Sequence, residues 1–351
     1  MNTRSGILSR IIAGPCSAES ESQLLQTAQA IKDLGLEWFR AGIWKPRTHP
    51  GCFEGVGEKG LEWLRSVKEA TGLKICTEAA GAQQAEACLK AGVDMIWIGA
   101  RTTANPFQVQ EIADALGGSG VKVFVKNPVT PDNELWAGAI ERLRLAGVKD
   151  ISVVHRGFST FEKTRYRNAP RWDKAVEFRM RFPEVPFYCD PSHIAGDTAL
   201  IGEIAQKAMD LGLDGLMIET HCNPEQALSD SKQQLTPSRL QTLLQNLKLR
   251  NTDTDEQAYQ GTLARLREKI DSLDENLLDI LSERMELSRE IGRLKRENNV
   301  AVLQSSRWDE VLGNAVEAAQ KKNLDTEFIT RILNEIHDAS VAEQNLIISE
   351  L

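Results

Sequence analysis

The chain has 351 residues, of which 41% are hydrophobic and 26% charged, and its formal net charge is −8. This composition is typical of a soluble globular protein and excludes disordered and fibrous classes, and the acidic balance argues against nucleic acid as a partner. No apolar run is long enough to span a membrane, and Arg10 interrupts the apolar stretch near the N-terminus, so we expect no signal peptide. We predict a cytoplasmic protein whose six cysteines are free thiols.

Eight short apolar segments alternate with amphipathic segments over residues 1–249. The apolar segments, each a predicted strand, are 10–17, 38–45, 74–79, 95–100, 121–126, 151–157, 187–192 and 215–221. This alternation is typical of the α/β class, and eight strands with intervening helices predict a (β/α)8 TIM barrel. A doubly wound open sheet is the alternative, and the strand count favours the barrel.

The pattern changes after residue 249. Residues 250–257 are polar and aperiodic, which predicts a linker. Residues 258–351 contain no proline and have the leucine and isoleucine spacing of helices, which we place at 259–298, 305–322 and 325–349. The first helix would be ~60 Å long. Because two shorter helices cannot cover its apolar stripe, we expect this all-α, three-helix domain to form a homodimer.

A polar or reactive residue stands at or just after every predicted strand end of the barrel, where the catalytic groups of this fold lie. In chain order these residues are Cys16, Arg40 with Lys45, Glu78, Arg101, Lys126, Arg156, His193 and Glu219. Each has an ordinary structural explanation when it is considered singly, such as a buried thiol or a solvated cation. Such residues at all eight strand ends, on one face of a barrel, predict an active site.

The predicted cluster divides into two chemical groups. A thiolate, an imidazole and two carboxylates suit a divalent ion such as Mn²⁺, Fe²⁺, Co²⁺ or Zn²⁺, and these are Cys16, His193, Glu219 and Asp230. Fixed cations suit the oxygens of phosphates and carboxylates, and these are Arg40, Lys45, Arg101, Lys126 and Arg156. The two groups together predict a small, multiply anionic substrate, or two phosphorylated substrates, beside a metal ion.

Six motifs carry a resemblance to a known family. In order they are AGPCS, KPRT, IGAR, HRG, DPSH and ALSD. With their positions at the strand ends, they resemble 3-deoxy-D-arabino-heptulosonate 7-phosphate synthase, in the compact microbial class without an N-terminal regulatory extension. The resemblance covers residues 1–249. It implies a metal-dependent transferase that condenses phosphoenolpyruvate with erythrose 4-phosphate, the first step of the shikimate pathway.

The resemblance also implies roles for individual residues. It places Cys16, His193, Glu219 and Asp230 on the metal ligands. It places Arg40, Lys45, Arg101, Lys126 and Arg156 on the phosphoenolpyruvate contacts, and Arg47 with Thr48 on the contacts to the aldose phosphate. Lys45 is then a candidate proton donor to the new alkoxide, and Glu78 a candidate for orienting water. Asp190 is interpreted as a residue that supports the ligands.

Two other activities compete for the barrel. A sister family condenses phosphoenolpyruvate with arabinose 5-phosphate, but its aldose loop resembles Lys-Ala-Asn-Arg-Ser, whereas this chain has KPRT at 45–48. A Schiff-base aldolase that uses Lys126 is a different mechanism, and it has no need of the thiol, the imidazole and the two carboxylates.

Residues 258–351 resemble the all-helical chorismate mutase domain, through LARLREKIDSLDENLLDILSERMELSREIGRLK and ITRILNEIHDASVAEQ. Arg284 and Lys295 are eleven positions apart, close to three helical turns, and so share one face. The resemblance implies an isomerase of chorismate. It places Arg267, Arg284 and Arg307 at or near the substrate carboxylates, Lys295 and Gln344 on the ether oxygen, and Ser340 in the pocket.

The chain departs from the mutase pattern at two positions. Trp308 occupies the place of a glutamate that commonly binds the substrate hydroxyl, and Gln304 that of an aspartate. A second hypothesis therefore stays open, in which the helical domain is mainly an allosteric sensor and dimerisation module that binds prephenate or chorismate. Feedback by prephenate on the barrel is an expectation under both hypotheses.

Overall fold

The computed structural model describes residues 3–45, 51, 53–161, 163–250, 257–303 and 305–349. It divides the chain into two compact units, Met1–Thr252 and Asp253–Leu351. Residues 251–256, which make up most of the predicted linker, lie outside the described residues. Among the helices that the structure describes, none has the length and apolarity that a membrane crossing requires.

The first unit is a closed barrel of eight parallel strands, as the sequence predicts, and the open-sheet alternative is wrong. Each strand pairs with its neighbour in the chain, and β1 pairs with β8 to close the barrel. The strands are β1 (Ile11–Gly14), β2 (Trp38–Arg40), β3 (Lys74–Glu78), β4 (Met95–Ile98), β5 (Lys122–Lys126), β6 (Ile151–His155), β7 (Phe187–Cys189) and β8 (Gly215–Glu219).

Helices alternate with these strands and surround the barrel. They are α1 (Thr3–Leu8), α2 (Glu21–Asp33), α3 (Lys59–Thr71), α4 (Ala82–Lys90), α5 (Ala100–Thr103), α6 (Pro106–Leu116), α7 (Asn133–Leu145), α8 (Trp172–Arg181), α9 (Pro191–Ala195), α10 (Thr198–Asp210) and α11 (Pro237–Asn246). Two short 3-10 turns, Pro224–Gln226 and Ser231–Gln233, follow β8.

Alternation along the strands builds two separate cores. Successive side chains of a strand point to opposite faces, so Ile11 and Ala13 pack outward against the helices while Ile12 packs inward. The inward set also includes Trp97 and Phe124, which fill the barrel axis with aromatic bulk. The interior of the barrel is therefore a packed core and not a channel.

Local backbone features bring the strand ends together at that face. Gly14 has φ +145°, and a Cβ there would lie 2.0 Å from the carbonyl oxygen of Arg40, so only glycine lets β1 approach β2 so closely. Asp190 caps α9, because its Oδ1 accepts the backbone N–H of His193 at 3.0 Å. These constraints set the positions of Cys16, Arg40 and His193 before any ligand is considered.

The second unit consists of three helices, as the sequence predicts: α12 (Gln257–Glu297), α13 (Ser305–Lys321) and α14 (Thr326–Ser349). The C-terminal half of α12 packs against α14, where a Cβ on Gly292 would lie 3.2 Å from the Cα of Gln344. Residues 264–280 of α12 are all exposed.

Candidate functional site

Three of the four predicted metal ligands lie together at the carboxyl end of the barrel. One ligand atom from each of Cys16, Glu219 and Asp230 falls within a group whose members are all within 4.8 Å of one another. Cys16 Sγ lies 3.1 Å from Asp230 Oδ2. Cys16 follows β1, Glu219 ends β8 and Asp230 lies between the two 3-10 turns. The closure of the barrel between β1 and β8 brings together residues more than two hundred positions apart.

His193, the fourth predicted ligand, borders this group. Its Nε2 lies 3.8 Å from Glu219 Oε1, and its Nδ1 lies 2.8 Å from Asp190 Oδ2. The Asp190 carboxylate thus orients the imidazole so that Nε2 faces Glu219. Asp190 also lies 2.7 Å from Lys126 Nζ. The interpretation of Asp190 as a supporting residue agrees with this arrangement.

Two buried cations lie over one aromatic ring. Arg40 and Lys126 lie 4.9 and 5.7 Å from the centroid of Trp97, on the inner face of β4. Arg40 Nη2 donates to Glu219 Oε1 at 3.2 Å. Within the described part of the chain, Arg40 Nε and Nη1 have no hydrogen-bond partner although both are buried. A buried guanidinium with two unused donors is suited to bind a carboxylate or a phosphate.

A cavity of about 230 Å³ opens beside the cluster. Its polar lining includes Lys45, Glu78, Arg101, Lys126, Arg156, Arg167, Asn168, His193 and Asp230. Lys45 Nζ lies 3.1 Å from Cys16 Sγ, and Trp97 Nε1 donates to Glu78 Oε2 at 3.1 Å. A Cβ on Gly99 would meet Glu78 Oε1 at 2.1 Å, so glycine at this position leaves room for the carboxylate.

The other predicted contacts to phosphate differ in how they are held. Arg156 donates through Nη1 to Asn168 Oδ1 at 2.8 Å. Arg101 is exposed at the cavity wall. Arg47 and Thr48, the predicted contacts to the aldose phosphate, lie outside the described residues.

Burial and neighbouring charge shift the pKa values at this site. Burial raises the pKa of the Cys16 thiol to about 12, and Glu219 adds to the shift. Burial would also raise the pKa of Asp190, but His193, Lys126 and Arg40 hold it well below its ordinary value. Burial lowers the pKa of His193. Nearby cations hold the pKa values of Glu219 and Asp230 below their ordinary values although burial opposes this. At neutral pH the imidazole and the carboxylates are therefore already in the form that binds a metal, whereas the Cys16 thiol has to lose its proton when a metal binds.

The second unit joins four of the predicted mutase residues between α12 and α14. Arg284 Nη1 donates to Ser340 Oγ and to the carbonyl oxygen of Ile336 at 3.4 Å. Lys295 Nζ donates to Gln344 Oε1 at 3.1 Å. Ser340 and Gln344 lie one turn apart on α14 and are largely buried. Two cations and two polar side chains thus form one cluster.

The remaining mutase residues lie elsewhere. Arg267 is exposed on the N-terminal half of α12, about 25 Å along the helix from Arg284. The side chain of Arg307 and all of Gln304 lie outside the described residues. Trp308 stacks on His337 with ring centroids 4.0 Å apart and an interplanar angle of 16°.

Comparison with known proteins identifies both units. Residues 5–256 match the sequence model of the DAHP synthetase I family. The chain belongs to the DAHP synthetase I family. Residues 266–345 match the model of chorismate mutase type II. A DAHP synthetase I domain is thus fused to a chorismate mutase domain. The chain is an enzyme that combines a transferase domain with an isomerase domain.

Relatives of the DAHP synthetase I domain agree with this assignment. Phospho-2-dehydro-3-deoxyheptonate aldolase of Thermotoga maritima is 35% identical over 68% of this chain and 68% of its own length. A crystal structure of that DAHP synthase, 33% identical, has a TM-score of 0.61 over 68% of this chain and 67% of the solved one. The 2-dehydro-3-deoxyphosphooctonate aldolase of Azoarcus sp. (strain BH72) is 28% identical over 68% of this chain and 89% of its own.

Sequence reasoning missed three residues of the DAHP synthetase I domain that the fold places at the site. Arg167 and Asn168 line the cavity from the segment between β6 and α8, and Gln233 donates through Nε2 to Glu219 Oε2 at 2.7 Å. Their positions in the sequence would have indicated them, because all three lie in loops that follow barrel strands. A survey of the whole loops, instead of the first residues after each strand, would have found them.

Proposed function

We propose that the barrel condenses phosphoenolpyruvate with erythrose 4-phosphate, and that the helical domain converts chorismate to prephenate. The observation that supports the first activity is that Lys45, Lys126 and Arg156 line one cavity beside a thiol, an imidazole and two carboxylates. Buried Arg40 lies next to Lys126, over the ring of Trp97. Two phosphate esters and a carboxylate match this surplus of positive charge.

Cys16, His193, Glu219 and Asp230 would hold a divalent ion, and the donor chemistry fits, because the set mixes sulfur, nitrogen and oxygen atoms at close range. A bound divalent ion would act as a Lewis acid toward the aldehyde carbonyl. Arg40 would bind the carboxylate of phosphoenolpyruvate with its unused donors. Lys126 and Arg156 would bind its phosphate and hold the enol in reach of the aldehyde.

Lys45 supplies the proton in this proposal. Burial would lower its pKa, but the neighbouring Cys16, Glu78 and Glu219 raise it above its ordinary value. The ammonium is therefore charged at neutral pH and can donate to the alkoxide that forms when carbon 3 of phosphoenolpyruvate attacks. Glu78, held by Trp97, would orient the water that adds at carbon 2 before phosphate leaves.

The helical domain needs no nucleophile for its reaction, because the rearrangement of chorismate is pericyclic. The pocket has to hold one compact conformer and to stabilise the charge that grows on the ether oxygen. Lys295 and Gln344, 3.1 Å apart, would donate to that oxygen. Arg284 and Ser340 would bind a carboxylate.

A homodimer would complete this pocket. Arg267 lies too far along α12 to reach Arg284 of its own chain, so Arg267 of the partner subunit would supply the remaining cation. The exposed side of α12 carries leucine or isoleucine every seven residues, at 266, 273, 280, 287 and 294. A heptad stripe of this kind packs against a second helix.

The first test compares the two activities with and without a chelator. We expect the purified chain to consume phosphoenolpyruvate in the presence of erythrose 4-phosphate and, in a separate assay, to consume chorismate. Chelation should abolish the first activity and leave the second unchanged, because only the barrel offers a metal-binding set among the described residues. Loss of both activities, or of neither, would contradict the assignment of the metal to the barrel.

A second function of the helical domain, as a sensor of prephenate, is favoured by Trp308. Trp308 stands where the mutase pattern has a carboxylate for the substrate hydroxyl, and its ring stacks on His337. Without that carboxylate the pocket would still bind prephenate or chorismate through its cations, while chorismate turnover would be weak. Prephenate should then slow the synthase reaction in the full chain by several-fold. The measurement is the initial rate of phosphoenolpyruvate loss against prephenate concentration, and a flat response would exclude feedback.

A further inference from the structure

The segment of Arg167 and Asn168 binds the short helix that carries His193. Arg167 N donates to the carbonyl oxygen of Ala195, and Asn168 N to that of Ile194, each at 3.2 Å. Asn168 Nδ2 donates to the carbonyl oxygen of His193 at 2.6 Å. This segment therefore fixes the backbone of one proposed metal ligand through the carbonyl groups of residues 193–195.

The guanidinium of Arg167 extends the same support to both carboxylates. Its Nη1 donates to Asp230 Oδ1 at 3.0 Å and to Gln233 Oε1 at 2.6 Å. Gln233 in turn donates through Nε2 to Glu219 Oε2 at 2.7 Å. One cation thus contacts Asp230 directly and Glu219 through a single amide.

Each carboxylate turns one oxygen toward Arg167 or Gln233 and the other toward the cluster, where Glu219 Oε1 also accepts from Arg40 Nη2 at 3.2 Å. Asp230 uses Oδ1 for Arg167, and its Oδ2 lies 3.1 Å from Cys16 Sγ. Glu219 uses Oε2 for Gln233, and its Oε1 lies 3.8 Å from His193 Nε2. Neither carboxylate can rotate freely while these hydrogen bonds persist, so the oxygens that face Cys16 and His193 are selected in advance.

Two residues beside the contact between Arg167 and Asp230 have a left-handed backbone conformation. Asp230 has φ 50°, in the left-handed region that costs energy for a residue with a side chain. Gly196, with φ +71°, ends α9 beneath the stem of Arg167, and a Cβ there would lie 2.5 Å from Arg167 Cβ. Any larger residue at position 196 would clash with the side chain of Arg167 where it crosses the end of α9 toward Asp230.

We propose that Arg167 is a positioning residue that, directly and through Gln233, orients Asp230 and Glu219 toward a divalent ion. This inference rests on the proposed metal-dependent function of the barrel. The groups that hydrogen-bond to metal ligands commonly set metal affinity by fixing the ligands. Both hydrogen bonds leave Nη1, whose two N–H groups lie in the plane of the guanidinium and so fix the directions of the two acceptors.

The test measures Co²⁺ affinity of the metal-free full chain from the thiolate-to-cobalt absorption band. Arg167→Gln should weaken Co²⁺ binding by about 10- to 100-fold, and Gln233→Leu should weaken it in the same direction. Arg165→Gln is the matched control, because Arg165 is exposed two residues away and contacts Glu203 and Tyr166 instead. It should bind Co²⁺ as the unsubstituted chain does.

Chemical rescue separates positioning from damage to the fold. The side chain of Arg167 is 43% exposed, so millimolar guanidinium should restore part of the Co²⁺ affinity of Arg167→Ala and leave Arg165→Ala unaffected. Equal Co²⁺ affinity in Arg167→Gln and the unsubstituted chain, with only the KM for phosphorylated substrate raised, would overturn the inference in favour of a direct substrate contact. Absence of the cobalt band in the unsubstituted chain would overturn the proposed metal set itself.

Discussion

His155 is a fully buried imidazole at the end of β6, packed against Phe158 and Trp172. Burial lowers its pKa from 6.5 to about 4. Between pH 4 and pH 6.5 the unfolded chain therefore binds a proton on this imidazole that the folded chain does not bind. The stability that the neutral imidazole contributes is complete above pH 6.5. It is lost progressively as the pH falls from 6.5 toward 4.

A variant without the titrating ring should lose this dependence. Between pH 7.5 and pH 4.5 we expect the free energy of unfolding to fall by about 2–3 kcal/mol more in the unsubstituted chain than in His155→Gln. Urea unfolding followed by tryptophan fluorescence at the two pH values measures the difference. Parallel pH dependences in the two proteins would show that His155 does not carry the effect.

At the scale of elements, the contact between α12 and α14 depends on the absence of a side chain. A Cβ on Gly292 would lie 3.2 Å from Gln344 Cα and 3.5 Å from Ile347 Cβ. Gly292→Leu should push α14 away and separate Gln344 from Lys295. Because a misplacement of about 1 Å can cost roughly 100-fold in rate, we expect chorismate turnover to fall by at least about tenfold and the synthase rate to be unchanged.

Gly313 on α13 provides the matched control. A Cβ there meets nothing within 4 Å, so Gly313→Ala should retain mutase activity and stabilise the helix by about 0.5–1 kcal/mol. Chorismate turnover and thermal unfolding of both variants check the comparison. Normal turnover in Gly292→Leu would mean that Gln344 does not act with Lys295.

At the scale of the whole molecule, the apolar stripe of α12 predicts a dimer. Leu273 and Ile280 are 66% and 61% exposed. Leu273→Lys combined with Ile280→Lys should convert the dimer that we propose to monomers, and chorismate turnover should be lost with the partner subunit's Arg267. The control, Ser272→Lys with Ser282→Lys, adds the same charge outside the stripe, so the mass of the particle in solution should remain that of a dimer. Sedimentation equilibrium gives the masses, and a monomeric unsubstituted chain would refute the dimer.

The fold could be predicted almost completely from the sequence. All eight strands and the three long C-terminal helices form where the pattern places them, because burial of alternating apolar residues and helical periodicity are local signals. The predicted strands are longer than the observed ones. The sequence predicts the first at 10–17, whereas the strand is Ile11–Gly14, because apolar composition does not mark where a strand stops pairing and becomes the loop that carries Cys16.

The sequence alone therefore determined the order of barrel and helical domain, and the reactive residue types at each strand end. Only the tertiary structure decided which of these residues touch. Cys16 meets Asp230 because β1 closes on β8, and Arg167 reaches Asp230 because Gly196 leaves its path open. The physical reason is that periodicity encodes the face of an element, whereas contacts between distant loops depend on barrel closure and on side-chain directions that no local pattern records.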